Sequence, residues 1–457
     1  MSTSFRALRF RFQMTLKHFF SLPGHRETWR IAWPVILSNS SVPLLGAVDT
    51  AVVGHLPDAH YIGSVAIGAM IFSFLYWGFG FLRMGTTGFI AQAVGQKDGG
   101  EVRAVLARAL LTALVVGVLA LLFQHLVLWF ALDLIKASGA VEAGARDYFF
   151  ARIWGAPAVF ANYALMGFFI GVGNTRAALI VQIFMNALNI LLDLVFVLGF
   201  GWDVTGVAAA TAISEMLALV LGLYLVRREL RRISGGWHRA AILSLSKMLR
   251  LLSVNFDIFI RTILLITAFA WFTAAAAEEG DVTLAAIAVL MNFVHFISYG
   301  LDGFAFAAEG MVGVAIGAKK VSRLREIILI TSFWALVVAI LYALVYLIFG
   351  PLVVNLLTSI EEVRLRAYEF LPWLVAMPLI AIWSYQIDGI FIGAVQSKEM
   401  RNGMIIAFLA YLFCMKGFGA LWGAHGLWAA LMVFMATRSL ALAFFYPRIE
   451  RRACEQP

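Results

Sequence analysis

The feature that most constrains the fold is a succession of apolar segments, each long enough to cross a lipid bilayer. The chain has 457 residues, of which 62% are hydrophobic and only 13% are charged. About 20 consecutive apolar residues span a bilayer as a helix, which satisfies its own backbone hydrogen bonds there. We predict twelve spans, at about 31–54, 63–95, 104–129, 148–172, 177–200, 204–226, 252–277, 283–317, 327–356, 367–396, 402–422 and 425–446.

The distribution of Lys and Arg predicts how these spans are oriented. Basic residues crowd the segment before span 1 and recur after spans 2, 6, 8 and 10, whereas the connections after spans 1, 5 and 7 contain none. Because cytoplasmic loops are enriched in Lys and Arg, both termini are expected in the cytoplasm. The net charge of +9 therefore indicates orientation in a lipid bilayer and not nucleic-acid binding. We expect a multi-pass protein of a bacterial inner membrane.

The two halves of the chain repeat each other. Residues 88–97 align with 310–319, and residues 167–171 align with 389–393, both at an offset of 222 residues. Because each repeat holds six spans, an even number, both repeats enter the membrane in the same sense. The predicted fold class is an all-α integral membrane protein, with two six-helix lobes around a central cavity and an axis along the membrane normal.

This repeat sets the predicted domain organisation. A cytoplasmic N-terminal extension covers 1–30, and an N-lobe of spans 1–6 covers 31–226. A basic cytoplasmic linker, 227–251, leads to a C-lobe of spans 7–12, 252–446, and a cytoplasmic tail, 447–457. Two lobes that rock about a central cavity suit alternating access.

Span 5 carries a polar stripe within an otherwise apolar helix. Its members are Gln182, Asn186, Asn189 and Asp193. They are spaced by four, three and four residues, so they share one helical face. A carboxylate in a membrane helix costs roughly 2.5–3.5 kcal/mol on insertion scales and marks a functional site by default.

Depth along the helices groups that acid with two other polar residues. At a rise of about 1.5 Å per residue, Asp49, Asp193 and Thr211 lie roughly 8–10 Å from the outer ends of spans 1, 5 and 6. Asn189 lies one turn deeper. These four residues form a candidate proton- or cation-coupling site in the outer half of the N-lobe.

The residues alone leave three interpretations of this site open. Two carboxylates that meet in a low-dielectric site cannot both stay ionised at low cost, so the pair could carry a proton across the membrane. With Asn189 and Thr211, the same oxygens could instead hold a sodium ion. The third interpretation is a structural hydrogen-bond cluster. Pro34 in span 1 permits a kink, through which protonation could reshape the N-lobe; a static kink is the alternative.

A second set of charges lies closer to the cytoplasmic side. Its members are Arg83, Asp257, Arg261, Asp302, Glu309 and Asp388. Asp257 and Arg261 lie four residues apart, and we expect them to pair. Arg83 is expected to be the one deep cation of the N-lobe. We interpret the set as a network that neutralises these charges and latches the inner gate, with a second ion site as the alternative.

Sequence motifs of soluble enzymes are missing from the chain. It contains no Walker A, H-E-x-x-H or G-x-S-x-G motif. We therefore predict that the protein is not an enzyme and needs no cofactor beyond a coupling ion, H⁺ or Na⁺. Transport is then expected to be driven by an ion gradient and not by ATP.

These residues resemble the DinF-like branch of the multidrug and toxic compound extrusion (MATE) family. The resemblance rests on Pro34, the run around Asp49, Asn189-Ile-Leu-Leu-Asp193, Thr211, and the run from Leu301 to Glu309. It implies twelve helices in two lobes and export of organic cations and other amphipathic toxicants by proton or sodium antiport. It further implies cation coupling at Asp49, Asn189, Asp193 and Thr211, and bending of span 1 at Pro34.

One departure from the family pattern bears on the coupling ion. The sodium-coupled branch places a Glu and an Asp in its second lobe, whereas span 7 here has no matching Glu and Asp388 aligns only loosely. This favours proton coupling, with sodium coupling through the same N-lobe site as the alternative. The wider superfamily also includes lipid-linked precursor flippases, but a pyrophosphate head group would favour a cationic cavity, and this one is acidic. A monomer that binds small-molecule drugs is the simplest expectation.

Overall fold

A computed structural model describes residues 19–54, 58, 60–135 and 137–455. Every regular element in these ranges is helical. Eleven helical stretches are long and apolar enough to cross a membrane, and the helix Gly24–Val53 precedes them. The chain is thus an all-α, multi-pass membrane protein, as predicted.

The helices follow the predicted spans in order. Span 1 is Gly24–Val53; span 2 is His60–Gly78 with Phe81–Gly95; span 3 is Gly99–Leu122, followed by a short helix Gln124–Ile135; span 4 is Gly139–Arg152 with Ala156–Gly171; span 5 is Thr175–Asp193; span 6 is Val204–Leu230. After a short helix Arg239–Ile242, span 7 is Leu245–Glu278, span 8 Asp281–Gly317, span 9 Val321–Leu357, span 10 Glu361–Gly393, span 11 Ser397–Trp422 and span 12 Ala424–Glu455.

Both chain ends differ from the predicted boundaries. The first helix begins at Gly24, before the predicted start at 31, and Glu27 accepts a 2.6 Å hydrogen bond from Arg323 of span 9. The last helix continues through most of the predicted tail, to Glu455. Residues 1–18 of the predicted N-terminal extension lie outside the described residues.

Backbone conformations reproduce the repeat. Lys97 and Lys319, which are 222 residues apart, have positive φ angles of 58° and 54° after spans 2 and 8. Gly173 and Val395 share the same offset and have φ angles of 74° and 54° after spans 4 and 10. L-residues rarely adopt this conformation, so its recurrence at one offset is structural support for a parallel internal repeat.

The two halves of the chain also meet through equivalent contacts. A Cβ added to Gly88 of span 2 would collide with the carbonyl oxygen of Ile392, and one added to Gly310 of span 8 would collide with that of Ile170. Each pair is the other displaced by the repeat offset. Small residues of this kind let membrane helices approach closely. The contact region lies at the span ends that carry the basic loops.

Span 1 packs against both halves. It contacts span 5 in the first half and span 8 in the second. Ile31 and Ala32 belong to the large buried cluster of the second half, whereas Val52 and Val53 belong to a cluster of the first. A change in the shape of this helix is therefore felt on both sides of the interface.

Candidate functional site

The two outer acids of the first half contact each other. Asp49 of span 1 and Asp193 of span 5 form a side-chain hydrogen bond, carboxyl to carboxyl. Asp193 is fully buried and Asp49 is half-buried. An ionised carboxylate only accepts hydrogen bonds, so a bond between two carboxyl groups contains a proton on one of them.

Asn189 and Thr211 form the floor of the same site. The Asn189 amide donates a 3.1 Å hydrogen bond to the Thr211 hydroxyl, which donates in turn to the Val207 carbonyl oxygen at 2.9 Å. Asn189 and Thr211 are 1% and 8% exposed. The structure thus brings spans 5 and 6 together at the predicted depth, one turn below the acid pair.

The rest of the polar stripe ties span 5 to span 1. Gln182 donates a 2.9 Å hydrogen bond to Asn186, and Asn186 donates a 2.8 Å hydrogen bond to the Ser41 hydroxyl. Ser41 donates to the carbonyl oxygen of Ser38, in the polar run between Pro34 and Pro43. Hydroxyls next to prolines re-satisfy backbone groups in membrane helices. Span 1 remains one helix through both prolines.

Span 5 changes its geometry immediately after the acid. The α-helix ends at Asp193, and residues Leu194–Gly199 form a π-helical turn. Such turns are rare and are frequent at functional sites. Sequence periodicity gives no signal for this widening, because it depends on how the segment packs.

Two charged residues close to the site were missed in the sequence. Arg152 of span 4 donates a 2.9 Å hydrogen bond to Tyr148 and a 3.5 Å one to Glu215 of span 6. Arg152 also interacts electrostatically with Asp49. The prediction that Arg83 is the one deep cation of the first half is therefore wrong. The rule that flagged Asp193, an ionisable residue inside a predicted span, also applies to Arg152 and Glu215.

Most of the second set of charges converges on the contact between the halves. Arg83 of span 2 donates to Glu309 of span 8 at 2.8 and 3.4 Å. Its guanidinium carbon lies 3.9 Å from the ring centroid of Phe306. Asp302 interacts electrostatically with both Arg83 and Glu309. This ion pair joins the two halves.

The predicted pairing of Asp257 with Arg261 is wrong. Asp257 accepts hydrogen bonds from Ser397 at 2.8 Å and from Arg401 at 2.6 Å. Arg261 instead donates to Asp388 of span 10. The reason is tertiary: residues four apart are neighbours on a helix surface, but Arg261 points into the bundle, where a buried carboxylate competes for it.

Asp388 has a second partner that the sequence analysis did not identify. Arg438 of span 12, 2% exposed, also donates to its Oδ2 atom. Arg438 lies within a predicted span, which is the signal that could have identified it. Asp388 therefore faces two guanidinium groups, and the five charges Arg83, Asp302, Glu309, Arg261 and Asp388 form the core of the network while Asp257 has separate partners.

The chain is similar to transporters over nearly its whole length. The MatE family model matches residues 34–195 and 258–416, two stretches that start close to the repeat offset apart. DNA damage-inducible protein F of Escherichia coli is 40% identical over 431 residues, 94% of this chain and 93% of that protein. A probable multidrug resistance protein NorM of Bacillus anthracis is 24% identical over 439 residues, 93% and 95% of the two chains.

Solved structures show the same fold. The MATE transporter VcmN of Vibrio cholerae, in its bent form, superposes with a TM-score of 0.84 at 20% sequence identity, covering 94% of this chain and 98% of that one. A multidrug resistance MATE family transporter of the MOP superfamily, in an outward-facing conformation, also gives a TM-score of 0.84, at 18% identity and with 95% and 98% of the two chains covered.

Proposed function

Because the chain belongs to the MatE family of multidrug transporters, we propose that it exports organic cations and other amphipathic toxicants by proton antiport. The proposed location is a bacterial inner membrane, with both termini in the cytoplasm. The proposed lobes are residues 31–226 and 252–446, linked by 227–251, with the drug held between them. The protein acts as a monomer.

The observation that carries this proposal is the contact between the two carboxyl groups of Asp49 and Asp193. With one proton, the pair is a hydrogen bond; without it, two negative charges lie in contact in a low-dielectric site. Coulomb repulsion between charges at such a distance is about 4 kcal/mol even at an effective dielectric constant of 20. The pair therefore binds a proton, or changes its geometry when it loses one.

Span 1 is the element through which this change acts on the rest of the molecule. It carries Asp49, is hydrogen-bonded to the span 5 stripe through Ser41, and packs against Gly303 of span 8 through Ile36. Pro34 lies between the two contact regions and lowers the cost of bending. Protonation of the pair favours one shape of span 1, and drug binding favours the other.

Coupling needs only modest energies. A ligand shifts a two-state equilibrium by its difference in affinity for the two states, and about 5.5 kcal/mol moves it from 1:99 to 99:1. Protons entering from outside neutralise the pair and expel the drug. The protonated carrier then turns inward, releases its proton and binds the next drug molecule.

Sodium antiport through the same site is the alternative, because Asp49, Asp193, Asn189 and Thr211 bring four oxygen-bearing side chains together. Efflux of a cationic dye from liposomes that contain the purified protein separates the two. It is driven once by a pH gradient and once by a sodium gradient, in the wild type and in Asp49→Asn and Asp193→Asn. Asp203→Asn is the matched control, since Asp203 caps span 6 and Asn caps a helix equally well.

Proton antiport predicts efflux under the pH gradient alone, lost in both site variants and retained in Asp203→Asn. Efflux that requires sodium assigns the site to that ion. Wild-type efflux in both site variants contradicts the proposal. Transfer of lipid-linked precursors without dye efflux supports a flippase.

A further inference from the structure

A second buried acid lies next to the carboxyl pair. Glu215 is in span 6, one helical turn beyond Thr211 toward the basic end of that helix, and is 6% exposed. Its Oε1 atom accepts from Arg152 at 3.5 Å. Charge-assisted hydrogen bonds of this type are ordinarily about 2.7–2.9 Å. The carboxylate is therefore paired loosely, although it is buried in a membrane-spanning bundle.

The cluster around Glu215 has spare hydrogen-bonding capacity on both sides. Among the described residues, no acceptor faces Arg152 Nε or the Tyr76 hydroxyl, and no donor faces Glu215 Oε2 or Asn162 Oδ1. Two buried donors and two buried acceptors thus lie unused in one cluster. Buried polar groups are nearly always hydrogen-bonded, so matched spare groups indicate that a second arrangement of the same side chains exists.

Arg152 is placed to serve both acids. It bonds to Glu215 and interacts electrostatically with Asp49, while its guanidinium carbon lies 4.8 Å from the Phe72 ring centroid and 5.8 Å from that of Tyr76. A guanidinium held over aromatic rings is attracted by their faces and can slide without losing all its contacts.

The titratable and charged groups facing Arg152 and Glu215 come from four spans. They are Asp49 of span 1, Tyr76 of span 2, Tyr148 and Tyr163 of span 4, and Asp193 of span 5 through its bond to Asp49; Arg83 of span 2 acts on Tyr163. Arg152 is the positive group in contact with Glu215, and the tyrosines are neutral unless they lose a proton.

We propose that Glu215 is a second proton-binding site, which receives the coupling proton from the Asp49–Asp193 pair while Arg152 moves from Glu215 toward Asp49. This rests on the proposed function. The proton leaves a carboxyl oxygen of the pair and binds Oε2 of Glu215. The pair gains one negative charge, Glu215 loses one, and the guanidinium follows the charge, so the net charge of the cluster is unchanged. The transfer moves the proton one turn along span 6, toward the basic loop.

Infrared difference spectroscopy of the full-length protein in lipid, titrated from acidic to alkaline pH, tests this proposal. It reports each carboxyl that gains or loses a proton. The wild type is expected to show one band that Asp193→Asn removes and a second that Glu215→Gln removes. Glu229→Gln is the matched control, because Glu229 lies on the same helix and bonds to Asn174 at 2.9 Å; both bands are expected to remain.

Transport separates a proton site from a structural ion pair. Glu215→Gln is expected to slow pH-driven dye efflux by about tenfold or more, a typical lower range for losing a proton-transfer group, with dye affinity changed less than about twofold. The double variant Arg152→Gln/Glu215→Gln is expected to stay equally slow. Should Glu215→Gln not fold, Glu215→Asp keeps the carboxyl, and the second band must then move and not vanish.

Two results would overturn the proposal: a Glu215→Gln spectrum with both bands intact, or recovery of efflux in the double variant, which a purely structural pair predicts. If the wild type shows no pH-driven efflux, the proposed function itself fails. Wild-type efflux combined with an unaffected Glu215→Gln rejects only the second proton site.

Discussion

Replacing Glu309 by Gln should release the contact between the two halves. Glu309 accepts two hydrogen bonds from Arg83, and their side chains are 2% and 13% exposed. Removing one partner of a buried ion pair costs about 3–5 kcal/mol because a charge is left uncompensated. The Phe306 ring, 3.9 Å from the guanidinium, retains about 1 kcal/mol of that. The net cost of about 2–4 kcal/mol corresponds to roughly 30- to 800-fold in the equilibrium between joined and separated halves.

The rate at which a buried thiol is modified reports rare separation of the halves. Val395 of the second half is 7% exposed and packs on Gly88 of the first, so Val395→Cys places a thiol in the contact; Cys414→Ser and Cys454→Ser remove the native ones. When opening is fast relative to modification, the rate follows the open population. We expect Glu309→Gln to accelerate modification by the factor above. Glu450→Gln, the same change in an exposed pair with Arg325, should leave it unchanged. Equal rates in all three proteins would refute this interpretation of the ion pair.

Three further predictions concern packing and span 1. Gly310→Ala should lower thermal stability in detergent by about 1–3 kcal/mol through overpacking, because the new Cβ would lie 2.8 Å from a backbone oxygen; Gly417→Ala, with nothing within 4 Å, should be neutral or gain up to about 1 kcal/mol, and equal shifts would contradict the packing argument. Asn186→Leu should cost about 1–3 kcal/mol in the same assay, since Ser41 and Gln182 lose a partner. Pro34→Ala should slow dye efflux while dye affinity, measured by fluorescence, stays unchanged; full efflux would show that bending at this proline is dispensable.

The features that the sequence predicted well are those set by a single helix and its depth. Apolar length defines the spans, and the offset of 222 residues anticipates matching backbone angles at Lys97 and Lys319. Equal depth of Asp49 and Asp193 anticipates their contact, because two residues at one depth on packed helices have few other positions available.

The features that the sequence did not predict depend on competition between distant partners. Asp257 and Arg261 are neighbours on one helix, yet Arg401 and Asp388, more than 120 residues away along the chain, take their hydrogen bonds. Arg152 escaped notice because the predicted start of span 4 at 148 placed it near the membrane surface. In the structure its helix begins at Gly139, which places it well within the span.

Proton release on drug binding tests the central claim most directly. The purified protein is mixed with a cationic dye in weakly buffered detergent solution, and a pH indicator counts the protons released for each dye bound. If drug and proton favour opposite states, binding one must expel the other, because coupling is reciprocal. We expect about one proton for each dye in the wild type and none in Asp193→Asn. No release from the wild type, or unchanged release from Asp193→Asn, would contradict proton coupling through the Asp49–Asp193 pair.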